Sequence, residues 1–325
     1  MRRHTKRMLD LTPMPVDGPL EEGAFFAERS PVPGVRPCRR LGLGTAWLGQ
    51  HFGKPEQGEG IETLHAAWGA GFVLVDTAPG YGPAELLLGE ALARWDGERP
   101  VVATKTKQRD PDLTRVIGQY ETSVERLGAI DLLAVHDPQP EFPAESRAAI
   151  RDYIAELLDA GRIIGAGLGG GGPTAQAQWL GAGTFRYIIT YNRLGALSLQ
   201  GLTDTVPQAR ADSAAVFAAS PLFLGLLGSR QNELLGDPPG HYPAAYIERA
   251  RSAMRLADEW SLPLTHLALR FLLSMPAVDV VLAGAANRRE WADVEAAYDA
   301  GPLPADLYAR VWRLAQQGSE AMAGG

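Results

Sequence analysis

From residue 39 onward, short apolar runs rich in β-branched residues alternate with longer stretches of helical spacing, and this alternation constrains the fold more than any other feature of the chain. Strands are predicted at Leu41–Thr45, Phe72–Thr77, Val101–Thr106, Asp131–His136, Ile163–Leu168, Tyr187–Tyr191, Ala214–Ser220 and Val278–Leu282. Helical spacing recurs over Gly60–Ala70, Ala84–Trp95, Asp112–Leu127, Ser146–Ala160, Pro173–Leu180 and Trp291–Ala300, with Gly71, Gly128 and Gly161 as stop signals. The strand ends are regularly spaced: 29 residues separate Asp76 from Lys105, 31 separate Lys105 from His136, and 31 separate His136 from Gly167. One βαβ unit has about that length, roughly 30 residues. Eight units in succession predict a single α/β domain, a closed (β/α)8 barrel of the TIM type.

An open, doubly wound parallel sheet is the rival. Its support is Gly167-Leu168-Gly169-Gly170-Gly171-Gly172, a glycine pattern between a strand and a helix start, as in a dinucleotide-binding turn. That turn calls for an acid about 20 residues on, where the chain offers Tyr191 and Asn192.

Three segments fall outside the repeat. Residues 1–35, with Pro13, Pro15, Gly18, Pro31, Pro33 and Gly34, read as an extended N-terminal lead-in to a barrel domain over residues 36–325. Leu222–Tyr242 is either a lid over the barrel mouth or a disordered insertion, and Leu303–Gln317 reads as an extra C-terminal helix. Hydrophobic residues at 46% and charged ones at 21% give enough material for a buried core. With 31 basic against 38 acidic residues the net charge is −7, which repels nucleic acid and anionic membranes. No run approaches the roughly 18–20 apolar residues of a membrane span. The basic start MRRHTKRMLDLTPMP lacks the apolar stretch of a secretory signal, so a cytoplasmic protein is expected. The single cysteine, Cys38, reads as a small buried apolar residue.

Three consecutive strands end in one polar residue that the strand pattern does not need: Asp76, Lys105 and His136. In a parallel barrel they emerge together at the rim that carries active sites, and Tyr81 in the turn DTAPGYG can fold back over the same mouth. Singly, each has an ordinary structural role open to it: a helix cap for Asp76, a solvent-reaching chain for Lys105, a backbone contact for His136, a loop cover for Tyr81. Together they make proton chemistry. A phenol titrates near pH ~10 and shuttles protons poorly at neutral pH; a neighbouring ammonium held by a carboxylate lowers that value. His136 can hydrogen-bond and orient a carbonyl oxygen. Hydride transfer would require a nicotinamide cofactor. Six histidines, His4, His51, His65, His136, His241 and His266, show no metal-ligand spacing, and no metal is expected.

At LGLGT, DTAPGYG with GEAL after it, ATKT, HDP and DAGRIIGAG the chain resembles the aldo-keto reductase family over nearly all of residues 40–300, most closely the branch of aldose 1-dehydrogenases that includes fucose, galactose and pyridoxal dehydrogenases. The resemblance implies an NAD(P)-dependent oxidoreductase interconverting a carbonyl or an aldose hemiacetal with an alcohol or lactone. Its catalytic four fall on Asp76, Tyr81, Lys105 and His136, with Tyr81 as proton donor. The implied substrate is a small polar carbonyl or sugar-like molecule. Trp47, His51 and the loop Leu222–Tyr242 follow strands at the active rim and are the candidates for lining its pocket. The implied cofactor is NADP(H) or NAD(H), the family pattern slightly favouring NADP(H).

The cofactor positions depart from the family pattern. Gly167 and Leu168 stand where Ser-Asn is usual, Ala219 precedes Ser220-Pro221-Leu222 where an aromatic residue is common, and Gly284, Ala285 and Glu290 replace cations. Arg288 and Arg289 lie close enough to restore positive charge. These departures leave a second expectation, a cofactor-binding redox sensor or partner subunit with little turnover. The sequence does not indicate an oligomeric state.

Overall fold

The computed structural model describes residues 18–49, 57–107, 109–240 and 242–322. Eight parallel strands, β1 (Leu41–Gly44), β2 (Leu74–Asp76), β3 (Val101–Lys105), β4 (Leu132–His136), β5 (Gly165–Gly169), β6 (Phe185–Tyr191), β7 (Ala215–Ala219) and β8 (Val280–Gly284), pair in chain order, and β8 closes on β1. The closed barrel removes the open-sheet alternative, and two of the glycines of its supposed fingerprint, Gly167 and Gly169, are strand residues of β5. The strands are near-continuous apolar runs because both faces are buried. Inward-facing Leu74, Val101, Leu132, Tyr187, Phe217 and Val280 fill the barrel, and outward-facing residues such as Leu43, Val75, Val102 and Leu133 pack beneath the helices.

The expected helices are present with shifted ends, for example Leu113–Leu127 and Arg288–Asp299, and three more appear at Thr205–Ala211, Ala244–Glu259 and Leu264–Leu273. Each of the three hides its period. Pro207 interrupts the first, the second buries small alanines such as Ala250, Ala253 and Ala257, and nearly all of the third is buried, Thr265 and Arg270 included, so that it has almost no solvent-facing side. The C-terminal helix runs Ala305–Met322, burying Leu307, Tyr308, Val311 and Ala315, with Tyr308 against Phe271 at 5.0 Å between ring centres.

The described part of the N-terminal stretch is not an extended lead-in. Glu22–Phe26 is helical, Arg29 and Cys38 pair antiparallel, and Val32, Val35 and Cys38 join the inward-facing cluster. A Cβ on Gly165 would lie 2.7 Å from Val32, so this segment packs tightly against the barrel interior. Leu222–Tyr242 is ordered over its described residues: it holds the turn Phe223–Gly225 and the helix Gln231–Gly236, buries Leu226, Leu227, Leu234 and Leu235, and is tied by Tyr242 donating to the Leu224 carbonyl at 3.0 Å. Among the described residues no helix is long and apolar enough to cross a membrane.

Candidate active site

Side chains alternate in and out along a strand, so Leu74 and Asp76 on β2, Val101, Ala103 and Lys105 on β3, and Leu132, Ala134 and His136 on β4 all point inward. The polar member comes last in each series. Strand register is held at this end by the His136 amide donating to Thr106 Oγ1 at 3.1 Å and by the Arg109 amide donating to the His136 carbonyl at 3.0 Å. Lys105 Nζ donates to Asp76 Oδ1 at 2.8 Å, to Asp76 Oδ2 at 2.6 Å and to the Thr77 carbonyl at 2.8 Å. Asp76, Lys105 and His136 are 5%, 3% and 8% exposed, so the ion pair is shielded from water and is not a surface pair of little consequence.

Tyr81 comes back over this group from the turn after β2. Its amide donates to the Ala78 carbonyl at 3.0 Å, and its own carbonyl packs so tightly on Gly49 that a Cβ there would lie 2.1 Å away. The ring centre is 4.9 Å from Lys105 Nζ, the hydroxyl hydrogen-bonds Lys105, and the ring meets His136 edge-on at 5.8 Å and 89°. The four residues singled out from the sequence therefore converge.

The electrostatics differ from the sequence expectation in one respect. Burial raises the Tyr81 pKa by more than Lys105 lowers it, so the phenol is held above its ordinary value. Burial acts to lower Lys105, but the Asp76 carboxylate and the Tyr81 hydroxyl outweigh it and hold the ammonium above its usual range. Burial also presses the Asp76 carboxyl upward, against the pull of Lys105. Around neutral pH the arrangement is a protonated phenol beside a cation that stabilises its conjugate base.

From Asp76 and Tyr81 a cleft of about 780 Å³ runs past the ends of β1, β7 and β8 to the N-terminus of the helix Arg288–Asp299. Trp47, Ser220, Leu222, Gly284, Arg289 and Glu290 line it. Gly284 admits the Trp47 indole: a Cβ on Gly284 would lie 2.6 Å from its Cδ1. Glu290 is pinned, accepting from Ser229 Oγ at 2.7 Å and from the Ala286 amide at 2.8 Å, while Asn287 Oδ1 caps the helix by accepting from the Glu290 amide at 2.9 Å. Asn287, which sequence reasoning missed, and Ser229, within the loop Leu222–Tyr242, also line the cleft; the Asn287 signal was an asparagine with Glu290 three residues on, the pattern of a capped helix start.

Three expected cofactor residues do not line this cleft. Gly167 lies deeper, under the ring of Tyr187, and Leu168 faces outward into the layer beneath the helices; β5 is in register such that Gly169, not Gly167, stands level with His136. Arg288 is not part of the cleft wall, which leaves Arg289 and Arg230 as its arginines. His51 lies outside the described residues. Among the described residues no group of His, Cys, Asp or Glu could hold a metal.

The profile of the aldo/keto reductase family matches residues 40–316. The chain is 28% identical over 278 residues to an aldo-keto reductase of Bacillus subtilis, YhdN, covering 76% of this chain and 81% of that protein. It is 26% identical over 304 residues to the D-threo-aldose 1-dehydrogenase of a Pseudomonas species, covering 83% and 92% of the two chains. Among solved structures, the glycerol dehydrogenase of Gluconobacter oxydans superposes with a TM-score of 0.72 at 25% identity, over 90% of this chain and 95% of that one.

Proposed function

The chain belongs to the aldo/keto reductase family of oxidoreductases, and from that premise we propose that it interconverts a small polar carbonyl, or the hemiacetal of an aldose, with the corresponding alcohol or lactone, using NAD(P)(H) and Tyr81 as general acid and base. The observation that carries this reading is the contact of one buried ammonium, Lys105, with both oxygens of Asp76 and with Tyr81.

In the reductive direction the Tyr81 hydroxyl and the His136 ring hydrogen-bond the substrate's carbonyl oxygen. Tyr81 gives up its proton as that oxygen gains charge, and the phenolate left behind is stabilised by Lys105, whose own charge and position Asp76 secures. In the oxidative direction the same phenolate takes the proton from the substrate hydroxyl. A nicotinamide cofactor, when bound, supplies or receives the hydride.

The residues present fit such a cofactor. The cleft begins at Tyr81, is lined by Gly44, Ala219 and Gly284, and ends at a helix N-terminus beside Arg289, where the positive end of the helix dipole favours phosphate oxygens. β5 ends in Gly169 and would offer a nicotinamide amide no side chain to hold it. A 2′-phosphate would meet both Arg289 and the pinned carboxylate of Glu290, which brings NAD(H) level with NADP(H) despite the family pattern.

The sugar-type substrate is supported by the named activities of relatives such as D-threo-aldose 1-dehydrogenase. The cytoplasm is the compartment proposed. The test is cofactor-linked turnover across aldehydes and aldoses in both directions: activity with polar aldoses or short aldehydes supports the reading. Tight cofactor binding with no turnover across the whole panel would replace it with the low-turnover sensor.

A further inference from the structure

The rim of the barrel at its active end is nearly bare of side chains. Of the last inward-facing residues of the eight strands, three are Asp76, Lys105 and His136, and four, on β1, β5, β7 and β8, are glycine or alanine. The eighth is Tyr191, at the end of β6. At 46% it is the most exposed aromatic side chain among the described residues. The cofactor cleft does not account for it, since that cleft is walled by the ends of β1, β7 and β8 and does not include Tyr191. The phenol ring stands on the side of the mouth that a cofactor in the cleft would leave to the substrate.

Although exposed, Tyr191 has a fixed bed. Its backbone pairs with Ala219 on β7, and its ring rests on Gly170, where a Cβ would lie 3.1 Å from Tyr191 Cε1 and 2.1 Å from Asp137 Oδ1. Gly170 is itself held from two sides: its amide donates to the Ile189 carbonyl at 2.8 Å, and its carbonyl accepts from Gln176 Nε2 at 3.0 Å. The ring therefore lies across the end of β5 toward β4, the strand that carries His136, and shares its glycine with a carboxylate. Asn192, the next residue along the chain, has a buried Oδ1 with no hydrogen-bond partner. Apart from Tyr191, this rim layer holds no apolar side chain larger than alanine. A guest that is apolar all round would gain one contact there, whereas a guest with one C–H face and polar edges matches both the ring and its neighbours.

We propose that Tyr191 is a substrate-contact residue that makes the site select a closed sugar ring: the C–H face of a pyranose lies on the phenol ring while its anomeric hydroxyl reaches Tyr81 and His136. The hydrogens of that face carry slight positive charge, which the negative face of an aromatic ring attracts. The hydroxyls at the sugar's edge, each both donor and acceptor, meet the polar groups of the rim. The form bound is then the hemiacetal and not the open-chain aldehyde. This selection rests on the proposed function for its place in the reaction, but ring binding is read without turnover.

The experiment compares wild type with Tyr191→Leu, which keeps an apolar side chain without the flat face, and Tyr191→Phe, which keeps the face. Binding is read by saturation-transfer NMR, in the presence of NAD+ or NADP+, with 1,5-anhydrogalactitol and 1,5-anhydrofucitol, rings locked closed with no anomeric hydroxyl to oxidise. Wild type and Tyr191→Phe are expected to bind them, and Tyr191→Leu to bind about fivefold more weakly, the order expected of one aromatic contact. In turnover, the ratio of kcat/KM for galactose and fucose to that for glycolaldehyde should fall by a similar factor in Tyr191→Leu, through KM, and be kept in Tyr191→Phe. Unchanged ring affinity in Tyr191→Leu overturns the proposal, as does an equal loss in Tyr191→Phe. A greater loss on benzaldehyde than on the aldoses also overturns it, since the ring would then serve aromatic aldehydes, and so does loss of the fold in both variants, read by circular dichroism. Ring binding with no turnover of any aldose or aldehyde would keep the role of Tyr191 and count against the oxidoreductase reading. Turnover of short aldehydes with no ring bound by wild type would do the reverse.

Discussion

Ser229 donates its hydroxyl to Glu290 at 2.7 Å, joining the loop that follows β7 to the N-terminus of the helix that follows β8. Both residues line the cleft, so this one bond ties its two walls together. Backbone strain sits at the base of the loop, where Ser220, Phe223 and Leu224 have φ of 57°, 49° and 57°, a region that residues other than glycine rarely adopt.

Ser229→Ala is expected to loosen that tie and increase the dissociation rate of bound NAD(P)H several-fold with little change in melting temperature. An exposed hydrogen bond of this type contributes about 0.5–1.5 kcal/mol. Stopped-flow fluorescence of the cofactor reads the rate; an unchanged rate means that the loop does not control release.

Glu290→Gln keeps the shape of the tie and removes the charge. A 2′-phosphate beside Glu290 would lose a repulsive neighbour, so the ratio of the NADP(H) to NAD(H) dissociation constants should fall by about tenfold in favour of NADP(H), consistent with the strength of charge-assisted pairs. Calorimetry with both cofactors measures it, and an unmoved ratio would place the phosphate elsewhere.

Tyr81→Phe removes the proposed acid and should lower turnover by about 10²–10⁴-fold with the fold intact. Lys105→Met should also cost stability, because it leaves Asp76 buried without its partner; breaking such a pair costs about 3–5 kcal/mol. Denaturant unfolding separates the two variants. Equal stability would mean that Asp76 finds another partner or is neutral.

The eight strands were legible because barrel strands are short and mostly apolar, and the first of them recur at about 30 residues; the convergence of Asp76, Lys105 and His136 followed from strand phase. What escaped was anything set by facing elements. Helix Leu264–Leu273 is buried along nearly its whole length, its polar Thr265 and Arg270 included, so its environment is set by the elements packed around it. The role of Gly167 depends on a ring from β6, 20 residues later. The level at which β5 meets β4, which puts Gly169 beside His136, is a matter of register that no single strand's sequence encodes. The direction of the Tyr81 shift depended on how deeply the loop buried it.

Cys38 lies among the inward-facing residues near the barrel floor, 3% exposed, and burial pushes its thiol from 9.0 up to about 11, with Arg36 opposing and Glu28 assisting. A thiol whose folded pKa is raised stays protonated in the native state and ionises more easily when unfolded. The stability from this group is present below about pH 9 and is lost as pH rises through about 11. Native protein should therefore react with a thiol reagent only at the rate of opening, and Cys38→Ala should be less sensitive to alkaline unfolding than wild type. Rapid stoichiometric labelling at pH 8 would contradict the buried position.

Gly284→Ala tests whether Trp47 belongs to the cofactor cleft or only to the barrel rim. The added Cβ would stand 2.6 Å from Trp47 Cδ1, closer than any real contact, so the indole has to move. Trp47 is partly exposed and borders open space, and the easy direction of movement is into the cleft rather than into the packed barrel. Overpacking a closed core costs about 1–3 kcal/mol, whereas a side chain free to swing outward should cost well under that. The variant is thus expected to melt near the wild-type temperature while binding NAD(P)H about tenfold more weakly. The chain has seven tryptophans, so quenching of Trp47 on cofactor addition is isolated by difference against Trp47→Phe. A loss of stability with unchanged cofactor affinity would assign Trp47 to the rim and put the cofactor's path on the other side of β1.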